Sequence, residues 1–170
     1  MVKIYHFTKK ENLDNIFTQG LIPGTKFLTL GSRLREGALY FYISPEDDAM
    51  GYLGNDDYEC LEVSVDPGIC VVVNMDIISA AYVNFKMAKE KNELHDFKDL
   101  VRIYDTTAIP YLSYERGSFR TPEVIVREII QPQNIRPAGL KKVAVHDEPT
   151  GLLHSYLMGD KFFTVKAKPC

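Results

Sequence analysis

The amino-acid sequence predicts an α+β fold, on three observations. Short runs rich in β-branched and aromatic residues recur along the whole chain, among them IYHFT, ALYFYIS and EVIVREIIQ. Helical spacing is confined to a few stretches. Turn residues such as Asp66-Pro67-Gly68 punctuate the runs at close intervals. With 170 residues, the chain fits one domain with a proper core, so residues 1–170 read as a single domain.

Taken in order, Val2 to Thr8 reads as a strand and Lys9 to Thr18 as a helix, with Leu13, Ile16 and Phe17 at helical spacing and Gly20 as its stop. Thr25 to Gly37, punctuated by glycines and carrying Arg33 and Arg35, reads as a loop or short helix over a surface rather than in the core. Ala38 to Ser44 is the next strand. Ser44 then serves as N-cap, Pro45 as the first helical residue, and the helix is expected to run to about Leu53.

Tyr58 to Val65 and Ile69 to Asn74 read as strands joined through Asp66-Pro67-Gly68, as a hairpin or as a bend within one strand. Asp76 to Asp99 is helical, its mixed charges those of a solvated face. Residues 100–122 read as a loop rich in aromatic and Arg side chains, including Tyr104, Tyr111, Tyr114, Arg116, Phe119 and Arg120. Glu123 to Gln131 is a strand opening after Pro122. Leu140 to His146 gives another strand, Glu148 to Met158 a short helix, and Lys161 to Lys168 a last strand.

Composition excludes classes without naming a function. A 45% hydrophobic and 25% charged chain is neither disordered nor fibrous. A net charge of -3 gives no broad attraction to nucleic acid, though a local basic groove is compatible with it. The sequence has no membrane-length apolar segment and no secretory leader pattern, so a cytoplasmic protein without a membrane partner is expected. Cys60, Cys70 and Cys170 lack close pairing and read as reduced thiols.

Several chemistries lack their spacing: there is no P-loop, no G-x-G-x-x-G after a strand, no H-E-x-x-H and no G-x-S-x-G. His146 and His154 do not form a recognisable ligand pair, so no metal is expected. What remains is His6-x-Thr8 on the first strand, Tyr40 and Tyr42 on the second with Tyr52 behind, and Glu123 heading a late strand. Singly, each has a plain explanation: a core histidine bonded to a backbone carbonyl, half-buried strand tyrosines, a solvated edge carboxylate.

In that order, however, these residues resemble the ADP-ribosyltransferase superfamily, in its His-Tyr-Glu branch. The block IYHFTKKENLDNIFTQGLIP is similar to the Tyr-His-x-Thr, Asn-Leu, Ile and Gly pattern of the DarT-type DNA ADP-ribosyltransferase toxins. FYISPEDDAMGYL resembles that family's second strand, and TPEVIVREIIQPQNIRPAGLKKVAV its Glu-bearing segment. HDFKDLVRIYDTTAI, from His95, bears a weaker likeness to the substrate-side segment.

The resemblance implies split mixed or antiparallel sheets around an NAD cleft with flanking helices. It implies NAD as co-substrate and Glu123 as the catalytic carboxylate, with Arg33 or Arg35 and His95 assisting. His6, Phe7, Thr8 and Asn12 would line the NAD site. Tyr42 or Tyr40, and Tyr52, would stack on nicotinamide. Tyr111, Tyr114, Arg116 and Arg120 would grip the acceptor, a thymine base in single-stranded DNA. A cognate antitoxin protein is the implied partner. Modification of a protein side chain, removal of an RNA 2'-phosphate, and a non-catalytic domain that binds NAD or a partner are the alternatives.

Overall fold

The computed structural model describes residues 1–24, 29–48, 50–91, 97–145 and 164–169. It is an α+β fold with a seven-stranded sheet, a separate two-stranded antiparallel sheet and three α-helices among the described residues. The strands are β1 (Val2–Lys9), β2 (Leu39–Tyr42), β3 (Tyr58–Val65), β4 (Val71–Asn74), β5 (Ile109–Pro110), β6 (Pro122–Val126), β7 (Ile135–Pro137), β8 (Leu140–Val145) and β9 (Thr164–Pro169). The helices are α1 (Leu13–Gln19), α2 (Met75–Lys91) and α3 (Phe97–Thr106).

The sheet runs β5-β4-β6-β2-β1-β3-β7, and every described pairing is antiparallel. Its two halves are joined unequally. β1 and β3 pair over eight residues, Val2 to Lys9, and β2 and β6 over four, whereas β1 and β2 share one register pair, Tyr5 with Tyr42. β3 and β4 run in the same direction four places apart, yet only Asp66 to Cys70 connects them. Four strand spacings amount to about 19 Å, near the full reach of five extended residues, and these five include a 3₁₀ turn. The sheet must therefore curl.

Curling wraps one apolar face of both halves around a single core. Ile4 of β1 and Leu61, Val63 and Val65 of β3 meet Leu39 and Phe41 of β2, Val72 of β4 and Val124 and Val126 of β6. The other face of β2, β6 and β4 is covered by α2 and α3 through Val73, Ile125, Ile78, Ala81, Val101 and Tyr104. A third cluster gathers Phe7, Tyr42, Leu53 and Cys60 at the β1/β2 seam. α1 ends at Gly20, whose φ of 87° suits glycine, and a Cβ there would lie 2.1 Å from the Ile130 carbonyl oxygen.

Five local expectations are corrected. Ser44 does cap and Asp47 reciprocates, but the structure after it is a 3₁₀ turn at Pro45–Asp47, not a helix to Leu53. The cause is Asp48, whose carboxylate takes the N–H groups of Met50 (3.2 Å) and Leu53 (2.7 Å) that a helix would have used. The strand expected over 123–131 ends at Val126, where its partner β2 begins at Leu39 and offers no further ladder. The helix expected from Lys9 starts at Leu13, after a 3₁₀ turn at Lys10–Asn12.

Asp66-Pro67-Gly68 makes no hairpin, because β3 and β4 take separate partners. The fifth correction concerns 100–122, whose first part is the helix α3 rather than a loop. The expected helix at 148–158 lies outside the described residues. No described helix is long and apolar enough to cross a membrane.

Candidate functional site

The site is built on a single cross-strand row. Successive registers place Val73, Glu123, Tyr42, Tyr5, Glu62 and Arg136 side by side across six strands. Residues paired in register share a face, so Glu123 and Tyr42 stand together, with Tyr40 two residues along β2. Entry to β6 is fixed just upstream. The Thr121 hydroxyl donates to Asp76 Oδ1 at 3.0 Å, and the Thr121 carbonyl accepts the Met75 N–H at 2.9 Å.

Glu123 is 5% exposed, a carboxylate taken almost wholly from water. A buried charge persists only when paired and hydrogen-bonded. Arg35 Nη1 donates to Glu123 Oε2 at 2.5 Å, and the fully buried Tyr104 donates its hydroxyl to the same oxygen at 2.9 Å. Arg35 Nη1 also donates to Tyr104 Oη at 3.1 Å, closing a triangle. The other oxygen, Oε1, has no hydrogen-bond partner among the described residues, and the side chain keeps 7% of its surface exposed.

The loop expected to ride over the surface instead sends Arg35 inward. Asp105 on α3 holds it, accepting from the Ser32 hydroxyl at 2.5 Å and the Arg33 N–H at 3.0 Å, with Ser32 itself buried. The Arg35 guanidinium lies 4.1 Å from the centroid of the Tyr40 ring, whose hydroxyl donates to the Arg35 carbonyl at 2.7 Å. Burial alone would lower its pKa, but the Glu123 carboxylate and the Tyr104 and Tyr40 oxygens hold it above the ordinary value. Burial, then the Glu123 charge, raises the Tyr104 phenol. Arg35 Nε is a buried donor without a partner among the described residues.

Beside this cluster stands an aromatic wall. Phe7 meets Tyr42 edge-on at 5.5 Å and Tyr52 at 5.9 Å, and Tyr52 stacks on Tyr58 at 4.6 Å. Burial, followed by the Asp48 charge, raises Tyr42 well above a normal phenol. Burial, with Tyr58 and Asp48 next, pushes Tyr52 up to about 12. The Asp48 carboxyl at the base of the Tyr52 loop is itself raised by burial to about 6, against the backbone N–H groups that it accepts.

His6 and Thr8 fall on the opposite face of β1 from Phe7, as strand alternation requires. The His6 ring packs on Phe41 at 5.4 Å, and Nδ1 lies 2.9 Å from the Tyr40 carbonyl. A carbonyl only accepts, so Nδ1 carries the proton and bridges a seam that has a single ladder pair. Burial lowers the His6 pKa, which favours this neutral ring and leaves Nε2 as an acceptor. Thr8 is buried and accepts from Asn12 Nδ2 at 3.4 Å.

The structure thus brings together Glu123, Arg35, Tyr40, Tyr42, Tyr52 and Phe7, with His6 across the β1/β2 seam on the other face of the sheet. Arg33 offers only its N–H, and its side chain is exposed. Tyr111 packs against the main core. Tyr114, Arg116 and Arg120 line a separate cavity of about 170 Å³ with Asp47, Ile43 and Phe119, where Arg116 lies 3.7 Å from Asp47. His95 lies outside the described residues. Asp105 was missed by the sequence reading, and Tyr104, grouped there with the aromatic residues of an expected 100–122 loop, was not placed beside Glu123. Their signal, a Tyr-Asp pair on the buried turn of an amphipathic helix, looks like ordinary core and capping chemistry.

No family model, curated protein or solved structure matches this chain. Function therefore rests on the chemistry of the site. A buried carboxylate with one oxygen anchored and the other uncommitted can face a growing positive charge. The aromatic wall can hold a flat heterocycle. Two groups fit an oxygen-rich ligand such as NAD: Oε1 of Glu123 can accept from a hydroxyl, and the orphan Arg35 Nε–H can donate to an oxygen.

Proposed function

We propose that this protein is an NAD-dependent mono-ADP-ribosyltransferase of the ADP-ribosyltransferase-like fold, with the NAD cleft at the parted seam between β1 and β2. The observation that carries the reading is Glu123, buried and paired to Arg35 beside Tyr42 in register. The single Tyr5–Tyr42 register pair between the two halves supports the fold assignment, since a cleft is most easily opened where the ladder is shortest.

Departure of nicotinamide builds positive charge on the ribose, as in glycoside cleavage. A fixed carboxylate facing that charge stabilises the transition state more than the ground state. Glu123 takes this role, its Oε1 accepting from a ribose hydroxyl. Arg35, rather than Arg33, is the assisting arginine, because it alone reaches Glu123. Tyr42 and Tyr52 flank the nicotinamide ring, and neutral His6 accepts from the adenosine-side ribose through Nε2. The glycosidic electron pair leaves with nicotinamide, and the acceptor atom bonds to the ribose carbon and releases its proton.

The acceptor proposed is a thymine base in single-stranded DNA, gripped by Tyr114, Arg116 and Arg120 around their cavity. A non-catalytic domain is the second reading, favoured by the packing of Tyr52 onto Tyr58. Labelled NAD offered with single-stranded DNA, RNA and protein, beside Glu123→Gln, tests both. Label on DNA that disappears in the variant is the expected result. Label on protein alone replaces the acceptor, and NAD binding without any transfer supports the second reading.

A further inference from the structure

We infer that Tyr104 is a positioning residue for Glu123, fixing one carboxylate oxygen so that the other is held ready for the substrate. The inference rests on the reading of the site as one for ADP-ribosyl transfer. Both anchoring bonds fall on Oε2, from Arg35 Nη1 and from the Tyr104 hydroxyl. One such bond would leave the carboxylate free to swivel about it. Two donors from different elements, which also bond each other, define its plane.

α3 supports both donors. Tyr104 supplies the phenol, and the next residue, Asp105, clamps the loop of Arg35 through the Ser32 hydroxyl and the Arg33 N–H. The Tyr104 ring, packed with Val73, Ile78, Ala81 and Val101, holds the hydroxyl where it is. Ring packing and hydroxyl function are therefore separable, because phenylalanine keeps the first and loses the second.

The test is nicotinamide release from NAD, the ADP-ribosyl group passing to water or to single-stranded DNA, RNA or protein added in separate arms, by the wild type, Tyr104→Phe and a chain with para-aminophenylalanine installed at position 104. The expected result is a fall in kcat of about tenfold or more for the Phe variant, KM for NAD within about twofold of wild type, and recovery of most of the rate by the para-amino donor. A Phe variant with undiminished kcat, or a para-amino chain as slow as the Phe variant, overturns the inference alone. A wild-type chain that releases no nicotinamide overturns the ADP-ribosyl transfer reading together with it.

Discussion

Glu123 and Glu62 stand in the same cross-strand row, three places apart, and each has gathered cationic partners. Glu62 accepts from Arg136 Nε at 2.9 Å and Nη2 at 2.5 Å and lies 3.1 Å from Lys3 Nζ, but Arg136 and Lys3 are both well exposed. Partial burial would raise its carboxyl, and the Lys3 and Arg136 bonds hold it below the usual range instead. Glu123 meets one cation, whose guanidinium side chain is only 12% exposed, under a roof of α3 and the 29–37 loop. Strand position does not separate the two carboxylates. What covers them does: at the open edge water reaches the cations freely and screens the charges, whereas the roof of α3 keeps most water from the Arg35–Glu123 pair.

The contrast is broken most severely at Arg35. Arg35→Met leaves Glu123 buried with the Tyr104 hydroxyl as its remaining anchor, and the expected loss is about 3–5 kcal/mol of stability, read from denaturant midpoints. A loss below 1 kcal/mol would mean that water reaches Glu123 as freely as it reaches Glu62.

Asp48 sharpens the comparison as a half-buried carboxylate with no cation partner among the described residues. Its carboxyl is raised to about 6 when folded, against about 4 when unfolded. Between these values the folded state binds more protons. Stability therefore falls as pH rises across that window, by about 2–3 kcal/mol in total, and this contribution is flat above it. Melting curves from pH 4 to 8 check the slope, which Asp48→Asn is expected to flatten.

The smallest effect belongs to the edge. Arg136→Met is expected to cost less than about 1 kcal/mol, and raising salt to 1 M is expected to erase the difference. The Arg35→Met penalty should persist in the same salt, since a dry pair is poorly screened.

Much of this was legible beforehand. β1, β3 and β8 follow directly from their apolar runs, and the Gly20 stop from the residue itself. The backbone-carbonyl bond that a strand histidine is expected to need is present at His6, through Nδ1 to Tyr40, and it leaves Nε2 uncommitted by that bond. The helix after Ser44 misled because the capping box is real, and only the competition from Asp48 for the next donors ends the turn. The Arg35 loop misled because polar, glycine-punctuated sequence reads as surface, while Asp105, some seventy residues on, draws it inside.

The sequence by itself determined the α+β class, the strand faces, and which carboxylate, tyrosines and histidine were worth attention. Periodicity and turn chemistry act between near neighbours, so they can be read from the chain alone. The tertiary structure alone decided that Arg35 rather than Arg33 meets Glu123, that Tyr104 completes the triangle, and that β1 and β2 share a single register pair. Those outcomes depend on the curl of the sheet and the roof of α3. Only there do residues 19 and 88 positions from Glu123 come to one oxygen and exclude the water that would weaken their bonds.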